Sequence, residues 1–365
     1  MVEFERIDVA VVGGGVTGLA SAAAVARRGF STCLLERHPR PGLDTSTHNS
    51  GVIHAGLYYP PATLKARLCV DGARRLYEFC AAHGVPHRRC GKLVVANDDA
   101  ELRAIEALRA NGIANGVEGL EIVDRAFIAA REPHVTAAAA LWSPNTGIVD
   151  AEALVRTLLE RAQSDGVMFL PGTKLTGADR RGDGMILATE RETIHAKTVI
   201  NAAGLFADEV SRMLGGEAFT IYPCRGEYAE LVPSKRSLVN ALVYPLPHGH
   251  GLGVHLVKTI GGAVWLGPTS DFVDRKDDYE NNRLPLEAFV EPARRLLADI
   301  TLADLRLSGS GLRAKIAPPS QSFADFLIRR DRENPFVVQA SGMESPGLTS
   351  CLAVGELVAG LACGR

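Results

Sequence analysis

The sequence predicts an α/β protein built on a parallel sheet and joined to a second part whose strands are mostly antiparallel. Three observations carry this. An apolar run, Ile7-Asp8-Val9-Ala10-Val11-Val12, ends in Gly13-Gly14-Gly15-Val16-Thr17-Gly18 and then an alanine-rich stretch, which reads as buried strand, tight turn and helix. The same order returns far downstream, where Thr198-Val199-Ile200-Asn201 runs into Ala202-Ala203-Gly204. Between and after them, residues 219–272 hold four short strand candidates, over 224–231, 242–245, 253–256 and 263–267.

The elements follow in order. The first helix is expected over 19–28 and a second buried strand over 31–35, ending at Glu36. Residues 37–63 break regular structure and are dense in small hydrogen-bonding side chains, as a functional loop would be. Apolar residues at helical spacing predict a helix over 64–83, closed by Gly84. A strand over 90–96 and a helix over 98–110 come next, then short helices and turns to about residue 140. Asp150 is placed to cap a helix over 151–164, and strands over 167–170, 174–179, 185–189 and 193–196 form a β-rich excursion. A helix is expected over 281–300, glycine-rich turns around 309–315, and a strand over 336–340. The loop 342–349 opens the last helix. At 365 residues two domains are natural. One takes residues 1–75, 145–215 and 305–365, the other 76–144 and 216–304.

Composition narrows the classes. A net charge of −2 gives no case for nucleic acid or an anionic membrane, and argues against a tRNA-modifying partner. Glu3, Glu5 and Asp8 make the start unlike a secretory signal, and no run approaches the roughly 20 apolar residues of a membrane span. Seven scattered cysteines without a C-x-x-C pair suggest reduced thiols. The expected location is the cytoplasm, with or without loose association with the inner membrane face. No cluster of His, Cys and Asp shows metal-ligand spacing, so no metal is expected.

Gly13, Gly15 and Gly18 meet the G-x-G-x-x-G spacing. Gly13 allows the turn, Gly15 lets amides approach a pyrophosphate, and Gly18 lets the helix pack close to the strand. Glu36 is placed to accept hydrogen bonds from an adenosine ribose. Two features favour FAD over a nicotinamide. The helix opening at 342–349 would aim its amides and dipole at the edge of an isoalloxazine where charge develops on reduction, and the second glycine-turned strand lies more than 180 residues downstream.

The segment His48-Asn49-Ser50-Gly51-Val52-Ile53-His54-Ala55-Gly56-Leu57-Tyr58-Tyr59 resembles the signature loop of the L-2-hydroxyglutarate dehydrogenase/oxidase family, within the D-amino-acid-oxidase-like flavoproteins. The likeness continues in Leu64-Lys65-Ala66-Arg67, Gly91-Lys92-Leu93, Arg225-Gly226-Glu227-Tyr228, Gly253-Val254-His255-Leu256, Gly311-Leu312-Arg313 and Ser345-Pro346-Gly347-Leu348-Thr349. It departs where Val257-Lys258 follows Leu256, since a threonine is usual directly after the leucine, and at Ala314, where proline is common after the arginine. The resemblance implies a Rossmann-like FAD-binding domain of the glutathione-reductase/D-amino-acid-oxidase type with a second, mostly antiparallel sheet domain. It also implies oxidation of an L-2-hydroxy acid, most readily L-2-hydroxyglutarate, by hydride transfer to flavin. An amine or amino-acid oxidase acting on glycine, sarcosine or a D-amino acid is the alternative. The electron acceptor, whether oxygen, a quinone or a carrier protein, is left open.

Such chemistry needs a base and a carboxylate anchor. The candidate bases are His48, His54, His250 and His255, with His54 first because it sits in the small-residue loop. Arg313 is the candidate clamp, a guanidinium fork matching a carboxylate. Lys315, Lys65 and Arg225 are candidates for a distal carboxylate, and Tyr58, Tyr59 and Tyr244 for phenolic hydrogen bonds. The expected FAD contacts are Gly13, Gly15, Val16, Thr17, Gly18, Glu36, Arg37, Thr45, Ser46, His48, Asn49, Ser50, Lys174, Ala203, Gly204, Gly311, Arg313, Glu344, Ser345, Pro346, Gly347, Leu348 and Thr349. Covalent flavin attachment is not demanded by the pattern.

Overall fold

The computed structural model describes residues 6–246 and 253–364. Five parallel strands form the heart of the first sheet, in the order Met168–Pro171, Thr32–Glu36, Ile7–Val12, Thr193–Asn201, Val337–Ser341. All five residues of Thr32–Glu36 are buried, as expected of a strand covered on both faces. Leu327–Arg330 adds an antiparallel edge beside Val337–Ser341.

The strands expected separately over 193–196 and from Thr198 are one strand, Thr193–Asn201. Its first half pairs antiparallel with Gly184–Thr189 while its second half runs parallel to Ile7–Val12. One continuous strand thus carries both the hairpin and the second glycine turn.

The first helix, Val16–Ala26, starts directly at the glycine turn, and all but its last residue is buried. Alanines make this possible, because a small side chain lets helices approach closely. Helix Gly347–Cys363 lies against it, with Gly355 facing Ala20. A β-carbon at Gly355 would come within 2.7 Å of the Ala20 backbone. The helix Leu64–His83 matches its expected bounds, capped by the Thr63 side chain and by Gly84 in the left-handed region (φ 68°). Ala151–Ser164 also matches, with Asp150 accepting from the Ala153 amide.

The second sheet is mixed but mostly antiparallel, in the order Asp271–Phe272, Tyr222–Leu231, Val264–Gly267, His255–Lys258, Leu242–Tyr244, Lys92–Ala96, Ala139–Ser143, Glu121–Asp124. Among the described residues only Leu242–Tyr244 with Lys92–Ala96 is a parallel pair in this sheet. The eleven-residue strand Leu305–Lys315 lies along Tyr222–Leu231. This corrects the expectation of glycine-rich turns there. Alternation with small residues hid a strand whose Gly311 sits where the His48 carbonyl comes close. Residues 305–315, expected with the nucleotide part, therefore stand in the second sheet. The helix expected over 281–300 is also corrected. Pro285 and Pro292 restrict regular structure to a turn at Leu286–Phe289 and a short helix, Val290–Arg294. His250 falls outside the described residues.

Replacing Gly355 by alanine forces the two buried helices apart. A stability loss of about 1–3 kcal/mol is expected, read as a lower denaturation midpoint.

Candidate active site

A cleft of about 800 Å³ opens between the two sheets, and nearly every predicted site residue lines it. Its floor is the strand–turn–helix at Gly13–Thr17 together with Ala203 and Gly204. Gly13 has a φ of 113°, and a β-carbon there would sit 2.4 Å from the Ala202 carbonyl. Gly18 does not line the cleft; it packs under the Gly13 carbonyl, the close-packing role its position implies. Glu36 is buried at the end of its strand, one carboxylate oxygen accepting from the Gly14 amide and the other from the His38 amide, both at 2.8 Å. It lines the cleft, but its oxygens already hold the turn.

The loop after Glu36 is tied down residue by residue. Arg37 pairs with Asp44 at 2.9 Å and lies 3.9 Å over the Phe206 ring. Ser46 Oγ accepts from the Val16 amide at 3.0 Å, and Thr45 Oγ1 donates to the Leu312 carbonyl at 3.0 Å, joining the loop to the second sheet. Asn49 braces the turn through the carbonyls of Thr45 and Ser46. Ser50 bonds Tyr228, His48 packs on Tyr279 at 4.6 Å, and Lys174 stands exposed at the cleft edge. At the opposite end Glu344, Ser345, Pro346, Gly347, Leu348 and Thr349 deliver the N-terminus of helix Gly347–Cys363 to the cleft.

The second sheet provides the other wall. His255 is 3% exposed, and its Nδ1 donates to the Gly253 carbonyl at 2.8 Å. A carbonyl only accepts, so the neutral ring carries its lone pair on Nε2. Tyr244 stacks on this ring at 3.7 Å and 17°. Burial, then the nearby Lys92 and Arg313 cations, push His255 down to about 3, against the pull of the Gly253 bond. His54 is lowered to about 3 as well, by burial and then the Lys92 ammonium. Both rings are therefore neutral at ordinary pH. His54 Nε2 lies 3.3 Å from Ser345 Oγ, itself 3.3 Å from the Tyr59 hydroxyl, while the buried His54 Nδ1 has no partner.

Arg313 Nη2 donates to the Thr269 carbonyl at 3.1 Å, and among the described residues no acidic side chain pairs with it. Lys315 stands two residues further along the same strand, so both side chains rise from one face. Lys315 and Lys65 share the Glu344 carboxylate, at 3.1 and 2.7 Å, and all three side chains are nearly buried. Burial alone would raise Glu344, but the two ammoniums outweigh it and hold its carboxyl below the usual range. Arg225 is a correction. It is buried outside the cleft, bound to Glu227 at 3.0 Å and to the carbonyls of Asn281 and Asn282.

Two residues escaped the reading of functional side chains. Tyr228 lines the cleft beside Arg313, and Lys92 is 1% exposed within an otherwise apolar strand. A lysine inside a run of core residues was itself the available signal.

The cleft fits an extended dinucleotide. It has a blocked-Cβ turn at one end, a helix N-terminus at the other, and the unpartnered His54 nitrogen in its wall. The comparisons agree. Residues 8–361 match the family model described as DAO, FAD dependent oxidoreductase, and the chain belongs to that family. It is 33% identical to the mitochondrial L-2-hydroxyglutarate dehydrogenase of Arabidopsis thaliana, over 97% of this chain and 83% of that protein. It is 29% identical to the L-2-hydroxyglutarate dehydrogenase of Escherichia coli K12, over 95% of this chain and 91% of that protein. Among solved structures it resembles FAD-bound L-alpha-glycerophosphate oxidase of Mycoplasma pneumoniae, with a TM-score of 0.91 and 26% identity over 99% of this chain and 96% of that one. The protein is thus an FAD-dependent oxidoreductase. Among the described residues no helix is long and apolar enough to cross a membrane.

Replacing Glu344 by glutamine leaves two buried ammoniums without their counter-ion. A loss of about 3 kcal/mol is expected, seen as a lower denaturation midpoint at pH 7. Because Glu344 is held low in the fold, its contribution is present above the unfolded carboxyl value and fades as pH falls through the folded one. The gap between variant and parent should therefore narrow in acid.

Proposed function

We infer that the protein oxidises an L-2-hydroxy acid, with L-2-hydroxyglutarate to 2-oxoglutarate as its reaction. The observation that carries this is the pairing of an acid-free Arg313 with His255, whose Nε2 lone pair is free. Arg313 holds the carboxylate next to the reacting carbon, and His255 Nε2 takes the hydroxyl proton. Bound in the cleft, FAD supplies the hydride acceptor. His255 is preferred to His54 as base because its bond to the Gly253 carbonyl fixes the required tautomer. His54, tied to Ser345 and with its amide on Thr349 Oγ1 at 3.0 Å, belongs to the cofactor wall.

A diacid suits the rest of the cleft. Arg313 and Lys315 are about 7 Å apart along the strand, two residues at roughly 3.4 Å each. One carboxylate between two lysines leaves the Lys65–Glu344–Lys315 cluster with a net positive charge for the distal carboxylate. Tyr58 and Tyr244 supply further contacts. Cofactor binding is assigned to the parallel-sheet part, substrate binding to the antiparallel sheet including 305–315. A reducing cytoplasm is the compartment that seven scattered cysteines without a C-x-x-C pair suggest.

Anaerobic mixing with L-2-hydroxyglutarate should bleach the oxidised flavin's visible absorbance rapidly. Bleaching by glycine, sarcosine or D-amino acids alone would overturn the reading. Replacing Arg313 by alanine should lower kcat/KM by about 10²-fold. His255→Ala should lower kcat by about 10²–10⁴-fold, with His54→Ala the milder change.

A further inference from the structure

The Lys92 ammonium sits behind the substrate wall rather than in the cleft. Its Nζ donates to the Tyr58 hydroxyl oxygen at 3.1 Å and lies 4.5 Å and 4.6 Å from the ring centres of Tyr58 and Tyr244. Among the described residues no carboxylate pairs with it. A buried lysine without a counter-ion is costly, and here two aromatic faces take the counter-ion's place. An ammonium has donors and no acceptor, so Tyr58 must accept from it. The phenol's own proton is then left to point elsewhere, and Tyr58 lines the cleft.

We propose that Lys92 is a positioning residue. By donating to the Tyr58 oxygen from a cage of two tyrosine rings, it turns the Tyr58 hydroxyl into a fixed donor toward the substrate's oxygen. The same cation backs the His255 wall, since Tyr244, whose ring it faces, is stacked on His255. The inference rests on the proposed oxidation of a hydroxy acid at this wall.

The groups around Lys92 set its titration. Tyr58 and His54 face it from the loop, Cys69 from helix Leu64–His83, and Tyr244 and His255 from the neighbouring strands. On its other side strand Ala139–Ser143 presents Ser143, which is bonded to Thr146. Burial brings Lys92 down to about 7, against a small opposing pull from Cys69. The ammonium is therefore present below that value and lost as pH rises through it. A deprotonated amine would accept from Tyr58 instead and draw its proton out of the cleft.

The test is the pH profile of kcat/KM for the holoenzyme with L-2-hydroxyglutarate. The parent should fall as pH rises through about 7. Lys92→Met should lose this alkaline fall and run roughly tenfold lower at about pH 6, where the parent's Tyr58 donor is in place. Its melting temperature should be unchanged or raised, because an apolar chain of similar volume replaces a buried charge. Tyr58→Phe should lose the same limb, and the double variant should be no worse than Tyr58→Phe alone. A Lys92→Met enzyme that keeps the alkaline fall, or losses that add in the double variant, overturns the proposal. Tyr58→Phe leaves the lysine in place, so a Tyr58→Phe enzyme that keeps the limb overturns it even where Lys92→Met does not fold. If L-2-hydroxyglutarate fails to reduce the parent enzyme, it is the reaction that was misread; a reduced parent with an unmoved limb removes only the role of Lys92.

Discussion

At Gly13 the chain leaves its first strand and passes the Ala202 carbonyl so closely that a side chain has no room. That approach holds two parallel strands and their two turns side by side. Helix Val16–Ala26 leaves from the first turn, and Ala203 and Gly204 form the second, so small residues and backbone line the cleft floor. Helix Gly347–Cys363 is held at the other end of the cleft by lying against Val16–Ala26 at Gly355 and against Leu64–His83 at Gly72. Two helix N-termini thereby face one cavity. Each offers partial positive charge and free amides to an anionic, redox-active dinucleotide.

The opposite wall works by charge control. Its His255, like His54 on the cofactor side, is buried near cations, which keeps the ring unprotonated. Arg313 is left without an acidic partner among the described residues, while Lys65 and Lys315 share Glu344. An anion entering the cleft therefore finds positive charge already placed, and no buried ion pair has to break to admit it.

Much of this was legible in the residues. Periodicity gave the helices at Leu64–His83 and Ala151–Ser164, whose caps are encoded locally by Thr63, Gly84 and Asp150. Spacing gave the glycine turn, and nearly every expected cofactor contact lies on the cleft. What failed depended on long-range pairing. The strand Leu305–Lys315 is recognisable only beside Tyr222–Leu231, because its serines and glycines carry the composition of a turn. The buried Arg225 looked like a ligand for the same reason: its partners at Glu227, Asn281 and Asn282 are assembled by the fold. Lys92 and Tyr228 lay inside recognised motifs, yet their side-chain surroundings are set by strands distant in sequence.

The placement of Arg313 and His255 has an evolutionary consequence. Both stand on the antiparallel sheet, on strands that contribute nothing to the glycine turn or its helix. Exchanging a few inward-facing side chains there would alter what is oxidised while leaving the machinery that accepts electrons intact. A chain so divided can diversify its chemistry one wall at a time, as the likeness of its backbone to oxidases of other substrates illustrates.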